Sequence, residues 1–233
     1  MAAKTVRRVG MLAPMEPELE PIIRKIGMER DGDVCRGRVG NVEVVAMLTR
    51  IGMDAGADAA RRILEHDVDW VMVVGIAGGI DRALTIGDVV VPERVLDRAT
   101  GSTYAPTPVG EMVPRGTISC GDDLITDPEV LNGFADDGIV AVEMETAAIA
   151  PVCEQAGRSW SVFRGISDFA ADGLVDQELF SMTRPDGTGD REAIKRYLEE
   201  NPERARVLAQ LAHDTNLATE AAATAAIRAC ETF

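Results

Sequence analysis

Ala141-Val142-Glu143-Met144-Glu145-Thr146-Ala147-Ala148-Ile149-Ala150 is followed by Phe163-Arg164-Gly165-Ile166-Ser167-Asp168. Ile139 to Val142 is a short apolar strand, and Glu143 to Ala156 reads as a helix ended by Gly157, a residue suited to the left-handed C-cap. Trp160 to Ile166 is the next buried strand. The result is a βαβ unit with Glu145 near its helix start and Asp168 at a strand end. In open parallel sheets, ligands bind where strands end and helices begin.

The same alternation extends in both directions. Upstream, strands are predicted at Val6–Ala13, Val34–Val39, Val42–Leu48, Trp70–Ile76, Gly87–Val95 and Thr117–Cys120, with a Gly40-Asn41 hairpin turn. Helices are predicted at Pro17–Ile26, Ala55–Glu65 and Pro128–Phe134. Trp70 to Ile76 is continuously apolar, as in a strand covered on both faces. Arg98 to Pro114 reads as a loop, and Ala170 to Gly189 as a long polar segment. Arg191 to Thr232 carries helices broken near Asn201-Pro202. Such alternation predicts a mixed or mostly parallel sheet with helices on both sides. No Pro/Ser/Gly-rich linker divides the 233 residues, so they form one domain with a helical tail from about residue 175.

A formal charge of −15 argues against a nucleic-acid partner, which needs a positive footprint. The basic start, Met1 to Arg8, is followed by too short an apolar run for a signal peptide or membrane span. Cys35, Cys120, Cys153 and Cys230 form no CxxC pair, and only His66 and His213 supply imidazole. Neither a metal nor another cofactor is expected, and lone thiols fit a reducing cytoplasm.

Several residues invite chemistry. Gly75-Ile76-Ala77-Gly78-Gly79 follows a buried strand, so its backbone can approach a ligand or simply make a tight turn. No Lys-Ser/Thr follows, which excludes a P-loop. Asp168, at the mouth of a buried strand, is either a partly desolvated proton donor or a cap. Glu143 and Glu145 are two positions apart, so at most one points into a helix-start site. Glu16 lies where the first strand turns into the first helix, where the helix dipole also favours an acid. Arg164, inside an apolar strand, requires a partner: a carboxylate such as Glu145, or a ligand. Met11, Met15 and Met144 can line a pocket or fill core.

These segments, in order, resemble the nucleoside phosphorylase/nucleosidase superfamily. Gly10-Met11-Leu12-Ala13-Pro14-Met15-Glu16 is similar to the opening of methylthioadenosine/S-adenosylhomocysteine nucleosidases. Ile51-Gly52 resembles the family's glycine turn. Gly75 to Gly79 with Ile86-Gly87-Asp88-Val89-Val90-Val91 resembles its Gly-x-Ala-Gly-Gly … Gly-Asp-Val-Val pattern, and Val142–Ala150 and Arg164–Asp168 its ribose and base motifs. The likeness covers about residues 6–170.

It implies a three-layer α/β/α phosphorylase-like fold with a central mixed sheet, a nucleoside substrate and a homodimer or larger assembly. It also implies site roles. Asp168, beside Ser167, would protonate or hydrogen-bond the leaving purine, and Glu16 would orient or deprotonate water. Glu145 would bind the ribose hydroxyls with Met144 on the sugar, while Arg164 would hold Glu145 or the nearby acidic cluster, to which Glu143 belongs. Ala77, Gly78 and Ile125 would line the base and sugar sites. Three departures bear on chemistry. Ile76 stands where a phosphate-binding hydroxyl would be, Arg50 where a glycine is usual, and Leu124 where an aromatic often stacks on the base. The stretch from Val95 to Thr117 is also short, which leaves the 170–233 segment as a candidate cover for the site. The main reading is hydrolysis of a 5′-modified adenosine; a phosphorylase and a non-catalytic nucleoside binder are the alternatives.

Overall fold

The computed structural model describes residues 5–184 and 186–233; Met1 to Lys4 of the basic start, and Pro185 of the polar segment, lie outside them. Strand β1 (Arg8–Ala13) leads into α1 (Glu16–Ile26), then β2 (Glu29–Asp31), β3 (Val34–Val39), β4 (Val42–Leu48) and α2 (Met53–Leu64). Then come β5 (Trp70–Gly79), β6 (Val89–Val90), β7 (Arg94–Asp97), β8 (Thr103–Tyr104), β9 (Thr117–Cys120) and α3 (Pro128–Asp136). The chain finishes with β10 (Ile139–Glu143), α4 (Thr146–Gln155), β11 (Ser159–Phe169), α5 (Gln177–Ser181), α6 (Arg191–Glu200) and α7 (Ala205–Cys230).

One mixed sheet runs β2-β3-β4-β1-β5-β10-β9-β7-β8, with β11 on β5 and β6. The centre is β5. Its first half pairs in parallel with β1, its last two residues pair antiparallel with β10, and β11 runs parallel along its whole length. Its alternating side chains serve opposite layers. Val71 and Val73 join Ala60 and Ile63 of α2 and Ile149 of α4, whereas Met72 and Val74 join Ile22 of α1 and Ala222 and Ala226 of α7. The three layers are thus α2/α4, sheet, and α1/α7, the expected architecture.

Some boundaries differ from expectation for physical reasons. The single strand predicted at Gly87–Val95 is two, β6 and β7, because Pro92 between them has no N–H for a ladder. The helix predicted from Glu143 begins at Thr146; Glu143 closes β10, and its carboxylate accepts from the first helical N–H groups. The Arg98–Pro114 loop contains the short β8. Along β11 the register shifts between Ile166 and Asp168, a bulge that places Ser167 and Asp168 at the end of β5. The tail is not an appendage. The C-terminal half of α7 buries Ala218, Ala222, Ala226 and Cys230 against β11, β5 and α1. Among the described residues, no helix is long and apolar enough to cross a membrane.

Gly165 of β11 lies directly under α7, where an added Cβ would strike the Ala218 carbonyl. Gly165→Ala should therefore cost about 3 kcal/mol by forced separation of helix and strand. Gly133→Ala in α3, where a Cβ meets nothing within 4 Å, should be neutral or stabilising by up to ~1 kcal/mol. Urea-unfolding midpoints check both; equal midpoints would contradict the docking of α7.

Candidate active site

Arg164 is fully buried in β11, and carboxylates gather around it. Its Nη2 lies 3.0 Å from Glu145 Oε2, donates to Thr146 Oγ1 at 3.1 Å, and pairs with Glu143. Its Nη1 donates to the Ile76 carbonyl at 3.3 Å and sits 3.9 Å from Glu18 Oε1. Each acid has a further anchor. Glu143 accepts from the N–H groups of Glu145 and Thr146 at 3.1 Å and from Thr146 Oγ1 at 2.8 Å. Glu145 Oε1 accepts from Gly52 N at 3.2 Å, and Gly52, at φ +107°, occupies a backbone region that side chains avoid. Glu18 Oε1 accepts from Ile76 N at 2.7 Å, while Glu18 Oε2 is buried with no hydrogen-bond partner among the described residues. Gly75 makes this assembly possible, because a Cβ there would overlap the Glu18 carboxylate.

Three buried carboxylates thus face one guanidinium, and they cannot all ionise cheaply. Burial disfavours charge on Glu143, but Arg164 and the hydrogen bonds from Thr146 outweigh it and hold its pKa low. Burial raises Glu145, against the pull of Arg164 and with a push from Glu143. Burial pushes Glu18 up to about 8, opposed by Arg164 and reinforced by Glu145.

A cavity of about 520 Å³ opens over this cluster. Ile76, Ala77 and Gly78 of β5, Leu124 and Ile125, and Met144 and Glu145 form its sheet side, with Met15 and Ile51 also in the wall. Asp168 also faces it, with Ser167 Oγ donating to Asp168 Oδ1 at 2.6 Å. Burial raises the Asp168 carboxyl above its ordinary range; the Ser167 hydroxyl partly offsets this. Helices α5, α6 and the first turns of α7 roof the space.

The fold therefore brings together Asp168, Ser167, Glu145, Met144, Arg164, Glu143, Ala77, Gly78 and Ile125. Glu16 is not among them. It turns outward to Arg30, 2.9 Å away, and Glu18, two residues on, occupies the cavity floor. Glu143 adjoins the cavity, but its oxygens are engaged by Thr146, Glu145 N and Arg164; it positions its neighbours rather than offering free acceptors. Met11 is core, and Arg50 is exposed and outside the cavity wall. Glu18 was legible in principle. It shares a helical stripe with Ile22 and Ile26, at i, i+4 and i+8, an unusual place for an acid.

The phosphorylase superfamily model matches residues 8–114 and 109–212. The chain belongs to the phosphorylase superfamily. A 5′-methylthioadenosine/S-adenosylhomocysteine nucleosidase of Exiguobacterium is 30% identical over 201 residues, spanning 70% of this chain and 85% of the relative. Among solved structures, an S-adenosylhomocysteine nucleosidase from Streptococcus pyogenes in complex with 5-methylthiotubericidin superposes with a TM-score of 0.73 at 21% identity, covering 99% of this chain and 98% of that one. A futalosine hydrolase of Helicobacter pylori gives 0.62 at 21% identity, covering 90% and 98%. At such identities these two structures establish the superfamily fold.

The raised Glu18 pKa has a sign. The folded chain keeps a proton that the unfolded chain releases above about 4.5, so stability falls as pH rises from there to about 8. Glu18→Gln should remove that loss. Wild type and variant should have similar melting temperatures near pH 5, and the variant should be the more stable by up to a few kcal/mol near pH 9. A parallel pH dependence in the two proteins would contradict a buried, protonated Glu18.

Proposed function

We propose that this protein is a nucleosidase that hydrolyses the N-glycosidic bond of a purine nucleoside, a 5′-modified adenosine such as methylthioadenosine or S-adenosylhomocysteine. The observation that carries the reading is the excess of buried carboxylate over guanidinium beneath a cavity that Asp168 also faces. Cleaving an N-ribosyl bond makes the sugar oxocarbenium-like, and a floor short of positive charge stabilises such a cation. The name and coverage of the Exiguobacterium relative point the same way.

The residues divide the work. Asp168, whose carboxyl is raised by burial and so holds a proton more readily than an exposed one, gives a proton to the base nitrogen as the bond to the sugar breaks. Glu145 accepts hydrogen bonds from the ribose hydroxyls, and Met144 packs on the sugar. Arg164 and Glu143 hold Glu145 in place. Glu18, through its unpaired Oε2, takes a proton from the water that attacks the anomeric carbon. The assignment first given to Glu16 passes to Glu18 because only Glu18 reaches the cavity. Glu18 accepts that proton in its carboxylate form: the proton it holds below about pH 8 leaves to solvent first, and the developing cation favours the ionised state.

Water is favoured over phosphate as the acceptor. Ile76 has no hydroxyl, and its N–H is committed to Glu18. Arg50 lies outside the cavity wall, and Arg98 spends its guanidinium on the carbonyls of Ser119 and Asp123. Within this reading the enzyme works in the cytoplasm as a homodimer or larger assembly; four buried free thiols suit a reducing compartment.

Adenine release from methylthioadenosine in phosphate-free buffer is the decisive assay. Asp168→Asn and Glu18→Gln should each lower kcat/KM by roughly 10²–10⁴-fold. Glu16→Gln should stay within about twofold, as for a surface ion pair. A strict need for phosphate, or a large loss in Glu16→Gln with none in Glu18→Gln, would overturn the assignment.

A further inference from the structure

The carboxylate assigned to the ribose is aimed by a backbone turn. Glu145 Oε2 is held by Arg164, and Glu145 Oε1 accepts from Gly52 N at 3.2 Å. The direction of that N–H depends on the turn from Thr49 to Met53, which its own sequence supports poorly. Gly52 has φ +107°, and Arg50, standing where a glycine is usual, has φ +70°. A left-handed backbone is disfavoured for any residue with a Cβ. Within the turn, Thr49 Oγ1 donates to the Arg50 carbonyl at 2.7 Å. Gly52 stands at the N-cap of α2 and has no side chain with which to cap it.

The cap comes from far along the chain. Asp122 Oδ1 accepts from Met53 N at 2.7 Å and lies 3.2 Å from where a Cβ of Gly52 would sit. Two carboxylates therefore grip successive N–H groups of one turn: Glu145 takes Gly52 N, and Asp122 takes Met53 N. Asp122 can hold the turn because its own segment is fixed. Gly121 N donates to the Glu143 carbonyl at 3.2 Å, and Arg98 N to the Cys120 carbonyl at 2.9 Å. The Arg98 guanidinium lies over Gly121, where a Cβ would overlap it, and donates to the carbonyls of Ser119 and Asp123 at 3.4 and 2.9 Å. Leu124 and Ile125, next in the chain, line the cavity, whereas Asp122 does not. Asp122 is also exposed, so its removal leaves the hydrophobic core untouched.

We infer that Asp122 is a positioning residue: through the Gly52–Met53 turn it holds Glu145 in the orientation that receives the ribose hydroxyls. The inference rests on the nucleosidase reading above for what Glu145 binds, and adds to it a residue outside the cavity wall. Without the Asp122 carboxylate, Met53 N turns to water and the turn is free to relax from its two left-handed residues. Gly52 N then leaves Glu145 Oε1, and one of the two anchors of that carboxylate is lost. The segment carrying Leu124 and Ile125 keeps its ties to Arg98 and Glu143, so the rest of the cavity wall stays in place.

Calorimetry with 7-deazaadenosine, whose glycosidic bond resists cleavage, and with its 2′,3′-dideoxy analogue tests this apart from catalysis. Asp122→Ala should weaken 7-deazaadenosine by roughly tenfold, as for loss of a hydrogen bond to a charged group. The dideoxy analogue, which has no hydroxyl for Glu145, should stay within about threefold. Asp122→Asn keeps an oxygen toward Met53 N and should bind both ligands as wild type does. Equal losses of the two ligands in Asp122→Ala would mean a merely structural role and overturn the inference, as would no loss of either. If the alanine variant does not fold, Asp122→Glu, which displaces the oxygen by one methylene, supplies the same comparison. Adenine release from methylthioadenosine is scored in parallel. A selective loss of the hydroxylated ligand, with no release by wild type, would sink the nucleosidase reading and leave the positioning role. Brisk release by wild type with equal losses in the variant would do the reverse, and a wild type that binds neither ligand would overturn both.

Discussion

Everything at this site depends on burying one guanidinium. Arg164 sits in the central strand pair with 1% of its side chain exposed, where an unpaired charge would be prohibitive. It is tolerated because strand ends from β5 and β10 and the starts of α1 and α4 bring Ile76, Glu143, Glu145, Thr146 and Glu18 to it. The requirement reaches into the backbone. Gly75 must lack a side chain for Glu18 and Arg164 to lie over β5. Gly56 must lack one for α2 to approach the Glu145 backbone, 3.1 Å from where a Cβ would sit. Helix packing and site electrostatics are therefore the same constraint seen at two scales.

The layers were legible because burial on both faces leaves continuous apolar runs, as in β5, and amphipathic stripes mark the helices. The need of Arg164 for carboxylate partners was legible from its strand context alone. What the sequence hid was direction. Glu16 and Glu18 both stand in the first turn of α1, where an acid is ordinary. Their difference lies in phase. Glu16 and Glu20 form an outward pair that Arg30 reaches, whereas Glu18 continues the stripe of Ile22 and Ile26 into the core. Likewise Glu143 looks like a helix residue until β10 is seen to run through it. The cap then comes from a strand side chain, which no helix-start pattern encodes.

The tail posed a different problem. Its sequence shows helices but not which face of the sheet they cover, since that depends on contacts far apart along the chain. The C-terminal half of α7 supplies much of the second core layer through alanines small enough to seat a helix on β11 at Gly165. Its N-terminal half leaves the sheet and carries Leu208 and Leu211 over the cavity. One helix thus does two jobs, and its alanine-rich and leucine-bearing halves divide them.

The two ends of the site meet at the first turn of α1. Glu16 contributes its backbone N–H to the roof through Asp186, while Glu18, half a turn on, contributes its carboxylate to the floor. Met15, between strand and helix, packs under Gly187 and also borders the cavity. A helix start has free N–H groups and a positive dipole end, so it can accept a carbonyl from above without losing an internal hydrogen bond. The same geometry that leaves Glu16 N available to the roof fixes Glu18 against Ile76 N. The wall of the cavity at Met15 and the position of the Glu18 carboxylate are consequently set by one rigid helical turn.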